Sequence, residues 1–469
     1  MSFAGPSNFG SFRVLKKLKS RLELLLTDQG GQETEIDIKG KILGVNYYES
    51  IYSPMLTGSF LELDTGGTVN NKEGKSGTLK DALPVEGFEE VLFGIQTGSG
   101  NLSFQGRNFS TGGDRKSFVI TGSPYNFDTG NKQSAFYPMV STNAFVSANS
   151  PVKKSYPDAP ISEIVRKILQ DRRGLKLPDG RVFVEDTKNT IKLTGDNQPP
   201  LDTILKLCKK AQPLEGDPGY FFFETKSGFH FKSIHGMIKK GIEDYGNGDL
   251  NYKRTHQYRY GSLLEANLDN DTNNFKILKP PVVRRDQDQM TAIRNGQYKV
   301  RVCTIDSITG EYKEKIIQVD NNPKGTLGKV DNQNLQNDQN NGTDSNDNFC
   351  KTFSYVLNYD EGSSIIDNPS EYEPRAMMKY GMLHAQLVDI QVPCNVNLEA
   401  GQGIRGLFEN ITQDNKTEIA YNLHRSGFYL ILHLCHHFDS SNSFTSLTLA
   451  RDGYGLYNTK KWIKKAHNL

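Results

Sequence analysis

The sequence predicts a mainly β protein interrupted by an α+β insert, and three observations carry that expectation. Short apolar or alternating runs punctuated by Gly, Asn and Pro fill the region from about 20 to 150. The apolar period lengthens to that of helices between 151 and 245, and strand-like runs resume from about 255. At 469 residues the chain is too long for one core of ordinary size, so two to four domains are expected.

In the first region the runs are RLELLLTD, GKILGVNYYESIYSP, GSFLELD, EEVLFGIQ, NLSFQG and KSFVITGSPYNF. Regularly spaced strands with turn signals between them read as an all-β barrel or sandwich over 21–150, after a basic arm at 1–20. Within it GGTVNNKEGKSG contains Gly74, Lys75 and Ser76, but a phosphate-cradling loop needs glycine where Val69 stands. A polar hairpin tip is the expectation there.

The insert, 151–245, opens after Pro160 with ISEIVRKILQDRRG. Ile161, Ile164, Val165, Ile168 and Leu169 follow the spacing of one helix face, and Arg172, Arg173 and Gly174 suit its C-terminus. A second helix follows Pro199-Pro200, with Leu201, Ile204, Leu205 and Cys208 on its apolar face. The thiol of Cys208 is therefore expected in a core. GYFFFETKSGFHFKSI then predicts a hairpin, Tyr220 to Glu224 against Phe229 to Ser233, turning at Lys226-Ser227-Gly228, with His230 on the face opposite Phe229 and Phe231.

The last region, 246–457, holds QYKVRVCTIDS and EKIIQVD around a Thr309-Gly310 turn, then an Asn/Asp/Gln/Gly-rich stretch at 321–348. That composition buries too little apolar surface to order itself and predicts a long exposed loop. A short helix is expected to begin near Pro374, and strands and turns continue to Tyr457, followed by a basic tail at 458–469.

Lys+Arg at 56 against Asp+Glu at 54 leaves a net charge of +2, which excludes a nucleic-acid-binding signature over the chain as a whole. Five dispersed cysteines with no CxxC pair fit reduced thiols. The start of the chain has no signal-peptide pattern and no apolar run is long enough to span a bilayer, so no membrane insertion is expected.

The densest group of ligand-type residues is HLCHHF, His433 to Phe438. Gly427 before FYLILHLCHHF and Asp439-Ser440-Ser441-Asn442 after it mark a strand. On a strand Leu430, Leu432, Leu434, His436 and Phe438 share one face, and Tyr429, Ile431, His433, Cys435 and His437 the other. His433 and His437 then stand roughly 13 Å apart and cannot share a tetrahedral metal. The five residues of the leucine face are assigned to the structural core, and no catalytic, cofactor-binding or metal-ligating residue is assigned.

SGFYLILHLCHHFDSSNSFTSLTLARDGYGLY resembles the terminal hairpin of the baseplate hub proteins of T-even-like contractile-tailed phages, with the family's histidine at His436. A preceding turn of that family is matched by Leu398, Gly401 and Ile404. NYYESIYSPMLTGSFLELDTGG with LPVEGFEEV is similar to its first barrel, and GYFFFETKSGFHFKSI to its inserted domain. The 321–348 stretch and the two basic ends have no counterpart in the resemblance.

The resemblance implies two tube-type antiparallel β-barrel modules plus an inserted helix-and-hairpin domain. It implies a non-enzymatic structural protein of the virion: a homotrimer adapting a hexameric tail tube to a trimeric central spike, with phage DNA passing through its lumen unbound. Tail tube or tube-initiator proteins, the spike and baseplate wedge proteins would be its partners, and assembly would take place in the host cytoplasm. Two other classes are weighed. A cell-wall hydrolase would need two carboxylates flanking a cleft, and no helical hydrolase segment supplies them; a secretion-system spike hub usually continues into a C-terminal spike, whereas this sequence stops soon after Tyr457. For the basic ends, Leu15 and Leu18 (with Val14), and Trp462 and Ile463, are the candidate apolar anchors for docking on neighbouring proteins.

Overall fold

The computed structural model describes residues 7–17, 33–64, 69–70, 76–77, 87–104, 106–108, 114–122, 125–129, 132–247, 255–261, 274–285, 288–318, 351–359, 365–409, 421–422 and 425–453. It is mainly β with an α+β insert. Among the described residues fifteen strands belong to one sheet. Its first half runs Glu33–Asp37, Asn8–Lys17, Glu90–Thr97, Phe118–Ile120, Lys132–Ser141, Thr57–Asp64 and Ile42–Ser50. Its second runs Gly427–Asp439, Phe444–Arg451, Gln386–Pro393 and Val282–Arg285.

The halves are joined edge to edge, because Ile42–Ser50 pairs antiparallel with Gly427–Asp439, from Gly44 opposite Asp439 to Ser50 opposite His433. Among the described residues the sheet is not closed: Glu33–Asp37 ends one side of its path and Val282–Arg285 the other. One apolar core serves both halves, with Phe12, Tyr47, Phe60 and Phe93 from the first and Ile390, Leu434, Phe438 and Leu449 from the second. Stacked ring pairs such as Phe60 with Tyr137, centroids 4.6 Å apart, lie within it.

The N-terminal stretch is in part a strand of the large sheet. Asn8–Lys17 lies between Glu33–Asp37 and Glu90–Thr97, paired to both, and Phe12 and Val14 are fully buried. Leu15, the candidate docking anchor, is only 7 % exposed and is packed in this strand. The lysines that follow hid the short inward alternation.

In the insert, helix Ile161–Leu169 buries Ile161, Ile164, Val165, Ile168 and Leu169, and helix Pro200–Cys208 buries Leu201, Ile204, Leu207 and Cys208. Both pack on the hairpin Tyr220–Glu224 and Phe229–Ser233. Val182–Val184 adds to that hairpin in parallel, and helix Ile234–Asn247 follows without a break. Burial pushes the Cys208 thiol far up, which keeps it protonated.

The strands Tyr312–Gln318, Lys299–Asp306, Lys351–Tyr359 and Ile365–Asp367 form a separate four-stranded sheet. It lies on helix Pro369–Leu383, with Val300, Val302, Met378 and Met382 between them. That helix starts five residues before Pro374, because Pro369 stands at its first turn, where proline's missing N–H costs nothing. The stretch 321–348 lies outside the described residues. Cys208, Cys303, Cys394 and Cys435 are free thiols. Among the described residues no helix is long and apolar enough to cross a membrane.

Candidate functional site

Among the described residues, a cluster of buried polar side chains lies where the tip of the insert hairpin enters the seam between the two halves of the sheet. Three carboxylates meet there from three parts of the chain. Glu49 is the last residue but one of the strand Ile42–Ser50, Glu224 ends the strand Tyr220–Glu224, and Glu399 stands in the turn before Gly403–Phe408. All three are buried.

Glu224 ties the hairpin to the first half of the sheet. Its Oε2 accepts from the Leu56 N–H at 3.1 Å and the Ser141 hydroxyl at 2.5 Å, and its Oε1 from the Asn143 amide at 3.0 Å. Burial raises its pKa, and these donors with the Arg181 charge oppose the rise. Glu49 ties all three parts together. Its Oε1 accepts from the Tyr47 hydroxyl at 2.6 Å and the Lys226 N–H at 2.8 Å, and its Oε2 from the Ala400 N–H at 2.8 Å. Burial, then the negative charge of Glu399, lift the Glu49 carboxyl to about 7.

Glu399 completes the seam from the second half. Its Oε2 accepts from the Thr225 hydroxyl at 2.9 Å, its Oε1 from the Ser227 hydroxyl, and Lys226 Nζ lies 3.7 Å away. Lys226 Nζ also donates to the Val396 carbonyl. Two glycines let the backbones close in. Gly401 has φ +79°, and a Cβ there would stand 2.7 Å from Phe223 Cζ; a Cβ on Gly228 would run into the Arg181 carbonyl. His230, on the hairpin, is stacked between Phe183 at 4.7 Å and Phe223 at 5.1 Å, and burial drives its pKa well down.

His436 lines the same seam from the sheet. It is fully buried, its Nδ1 is 2.8 Å from the Thr445 hydroxyl, and its ring stacks on Tyr47 at 5.9 Å. Burial, then the Lys226 charge, hold its pKa at about 3, so the ring is neutral.

Leu430, Leu432, Leu434 and Phe438 are buried too, but not on one face. The pairing with Phe444–Arg451 slips between Ile431 and His433, leaving Leu432 as an extra residue. This bulge inverts the alternation. Leu430 and Leu432 pack with Phe223, Met237 and Leu383, whereas Leu434 and Phe438 join the main core with Tyr429 and Ile431. The single leucine face is thereby corrected.

On the outer side His433 lies against Tyr52, whose hydroxyl is 2.6 Å from His384 Nε2, and His437 Nδ1 is 2.6 Å from Asn46 Oδ1. Among the described residues no three His, Cys, Asp or Glu side chains are grouped to hold a metal. Trp462, Ile463 and Leu18 lie outside the described residues. The three buried glutamates were not singled out from sequence. Glu224 closes the apolar run YFFFE, and Glu399 sits between Leu398 and Ala400, both positions where a carboxylate must find donors or stay neutral.

No family model matches the chain, and no curated protein does. It is similar to solved structures of tail proteins. The tail protein from Neisseria meningitidis MC58 is 10 % identical with a TM-score of 0.45, covering 94 % of this chain and 97 % of that one. The 43 kDa tail protein of prophage MuSo2 from Shewanella oneidensis is 8 % identical with a TM-score of 0.47, covering 94 % and 98 %. The E. coli c3393 protein, a component of the type VI secretion system, is 9 % identical with a TM-score of 0.38, covering 93 % of this chain and 76 % of that one.

Proposed function

We propose that this chain is a structural hub of a phage tail baseplate, a homotrimeric ring between a hexameric tail tube and a trimeric central spike. The observation that carries the reading is the seam: one chain holds two β halves hydrogen-bonded edge to edge, with unlike strands at the two ends of the sheet. Unlike ends favour head-to-tail contacts, which close when the rotation between copies is right. Three copies then present six β units to a six-fold tube while keeping three-fold symmetry for a spike.

The chemistry of the seam supports a non-enzymatic role. Glu49 and Glu399 are two neighbouring carboxylates, but they are 2 % and 8 % exposed and their oxygens are taken by N–H and O–H donors. A glycosidase pair needs room for a sugar between its carboxyls. On this reading the partners are tube or tube-initiator, spike and wedge proteins, and DNA passes the lumen without being held, as a net charge of +2 suits. The protein would be assembled in the host cytoplasm and end in the virion tail.

The test is the oligomeric state of the purified chain by light scattering coupled to chromatography, with a peptidoglycan-release assay beside it. A trimer without hydrolysis is expected. A monomer at all concentrations, or cleavage of peptidoglycan, would overturn the reading.

A further inference from the structure

The insert carries a concave feature that shares no residue with the hairpin tip. The loop after helix Thr142–Ala148, the turn that ends helix Ile161–Leu169 and the start of helix Pro200–Cys208 line a cavity of about 710 Å³ that opens to the surface. Five cations line it, Lys153, Lys154, Arg172, Arg173 and Lys176, against the single carboxylate of Asp171. That carboxylate already accepts from the Arg173 N–H at 3.0 Å.

None of the five cations forms an ion pair among the described residues, whereas their neighbours do: Arg166 with Asp186, Lys167 with Glu163 and Lys206 with Asp196. Arg172 and Arg173 follow a helix C-terminus, where the dipole welcomes positive charge. That reason does not extend to Lys153 and Lys154, which come from the other wall, or to Lys176, held at φ +53° so that its N–H reaches the Asp171 carbonyl at 3.1 Å. The floor is apolar and fixed, made by Val152, Tyr156 and Ile168, all buried. The floor is thus fixed while the cations around it are free to reach a ligand: Lys153, Lys154, Arg172 and Arg173 are exposed, Lys176 is half-buried, and Lys154 Nζ stands 6.0 Å over the Tyr156 ring.

We propose that this cavity docks an acidic segment of a partner polypeptide, one with several Asp or Glu side chains in a short stretch. The volume falls in the range of sites that enclose a ligand, roughly 300–1,000 Å³. Five cations on two walls exceed what one small anion can engage, and match a run of carboxylates. Nucleic acid fits less well. Single strands need exposed aromatic platforms for their bases, and the one ring here, Tyr156, is 3 % exposed. A duplex presents a convex cylinder that a pocket closed by a turn does not follow. The inference stands apart from the ring reading, since it concerns the insert of a single chain.

The test titrates the full-length protein with fluorescein-labelled hexaglutamate peptide, a 20-nucleotide single strand, a 20-base-pair duplex and inorganic phosphate, at 50 and 200 mM salt. Saturable peptide binding that weakens with salt is expected. The double variant Lys154→Gln/Arg173→Gln should lose at least about tenfold in affinity, roughly 1.4 kcal/mol. A control pair at exposed cations outside the cavity, Lys192→Gln/Lys209→Gln, should lose less than about twofold. Melting temperatures of both variants keep folding distinct from binding. Absent peptide binding, equal loss in the control pair, or tighter binding of either nucleic acid or phosphate than of the peptide would overturn the assignment.

Discussion

Replacing Glu49 by Gln removes the charge at the centre of the seam while keeping the shape of the side chain. Burial and the Glu399 charge hold this carboxyl at about 7 against an ordinary 4.5. At about 1.4 kcal/mol per pH unit, ionising it in the folded protein costs about 3 kcal/mol. Its folded pKa is raised, so between pH 4.5 and 7 the folded chain keeps a proton that the unfolded chain has released. Stability therefore falls as pH rises across that window and levels off above it. The Gln variant cannot titrate. Its amide donor must face the Ala400 N–H or the donors of Tyr47 and Lys226, which costs about 1–2 kcal/mol at every pH. The variant should be the less stable protein near pH 5 and equal or exceed the parent near pH 8. Other groups of the seam titrate in both proteins: Glu224 is raised like Glu49, and His436 is depressed to about 3 with the opposite sign. The difference between the two profiles cancels them. Urea unfolding from pH 5 to 8.5 measures it, and a difference that stays constant over that range would refute the buried charge.

Three further outcomes follow from the same coordinates. His436→Asp buries an unpaired charge against Tyr47 and Thr445 and should cost about 3–5 kcal/mol, whereas His433→Asp on the exposed side should cost under about 1 kcal/mol; equal shifts in melting temperature would contradict the placement. Replacing 321–348 by a linker of about six Gly/Ser residues should leave stability within about 1 kcal/mol, because Gln318 and Lys351 flank the same end of Lys299–Asp306, about 10 Å apart; aggregation of the shortened chain would count against it. Deleting residues 1–17 removes Phe9, Phe12, Val14 and Leu15 from the core, at about 1.5–3 kcal/mol each, which rivals the whole net stability of a domain; a soluble truncated chain with an unchanged melting profile would show that the strand is dispensable.

Much of the fold was legible because period and punctuation agree locally. ISEIVRKIL and PLDTILKLC form the helices their spacing predicts, and Tyr220–Glu224 with Phe229–Ser233 pair as the sequence suggests. What could not be read depends on partners distant in the chain. The bulge at Leu432 is set by three neighbours at once, the strands Phe444–Arg451 and Ile42–Ser50 and the turn at Gly401, and no local pattern in FYLILHLCHHF signals it. The inward strand at 8–17 was obscured by Lys16 and Lys17, which a charge-based reading weighs more heavily than Phe12 and Val14. The seam was invisible for the same reason: Glu49, Glu224 and Glu399 lie more than 170 residues apart in successive steps, and only the hairpin's docking makes neighbours of them.

That docking also explains why a stability cost is kept at the seam. Three buried carboxylates facing Lys226 and Arg181 are a poor way to hold two sheet halves together, since apolar packing of the same volume is often as stable or more so. Hydrogen bonds to Glu49 and Glu399, however, exist only when the hairpin, the strand Ile42–Ser50 and the turn at 395–402 are in one arrangement, and each misplacement strands a buried charge. The shared core fixes the register of the pairing, because a one-residue slip would turn the apolar set outward, and the polar ties constrain the twist between the halves. The polar seam therefore fixes the angle between the two β halves of a single chain. If the chain closes the head-to-tail ring proposed above, that angle decides how many copies complete the circle, and Glu49→Gln should broaden the oligomer distribution seen by light scattering coupled to chromatography; an unchanged single species would refute the link.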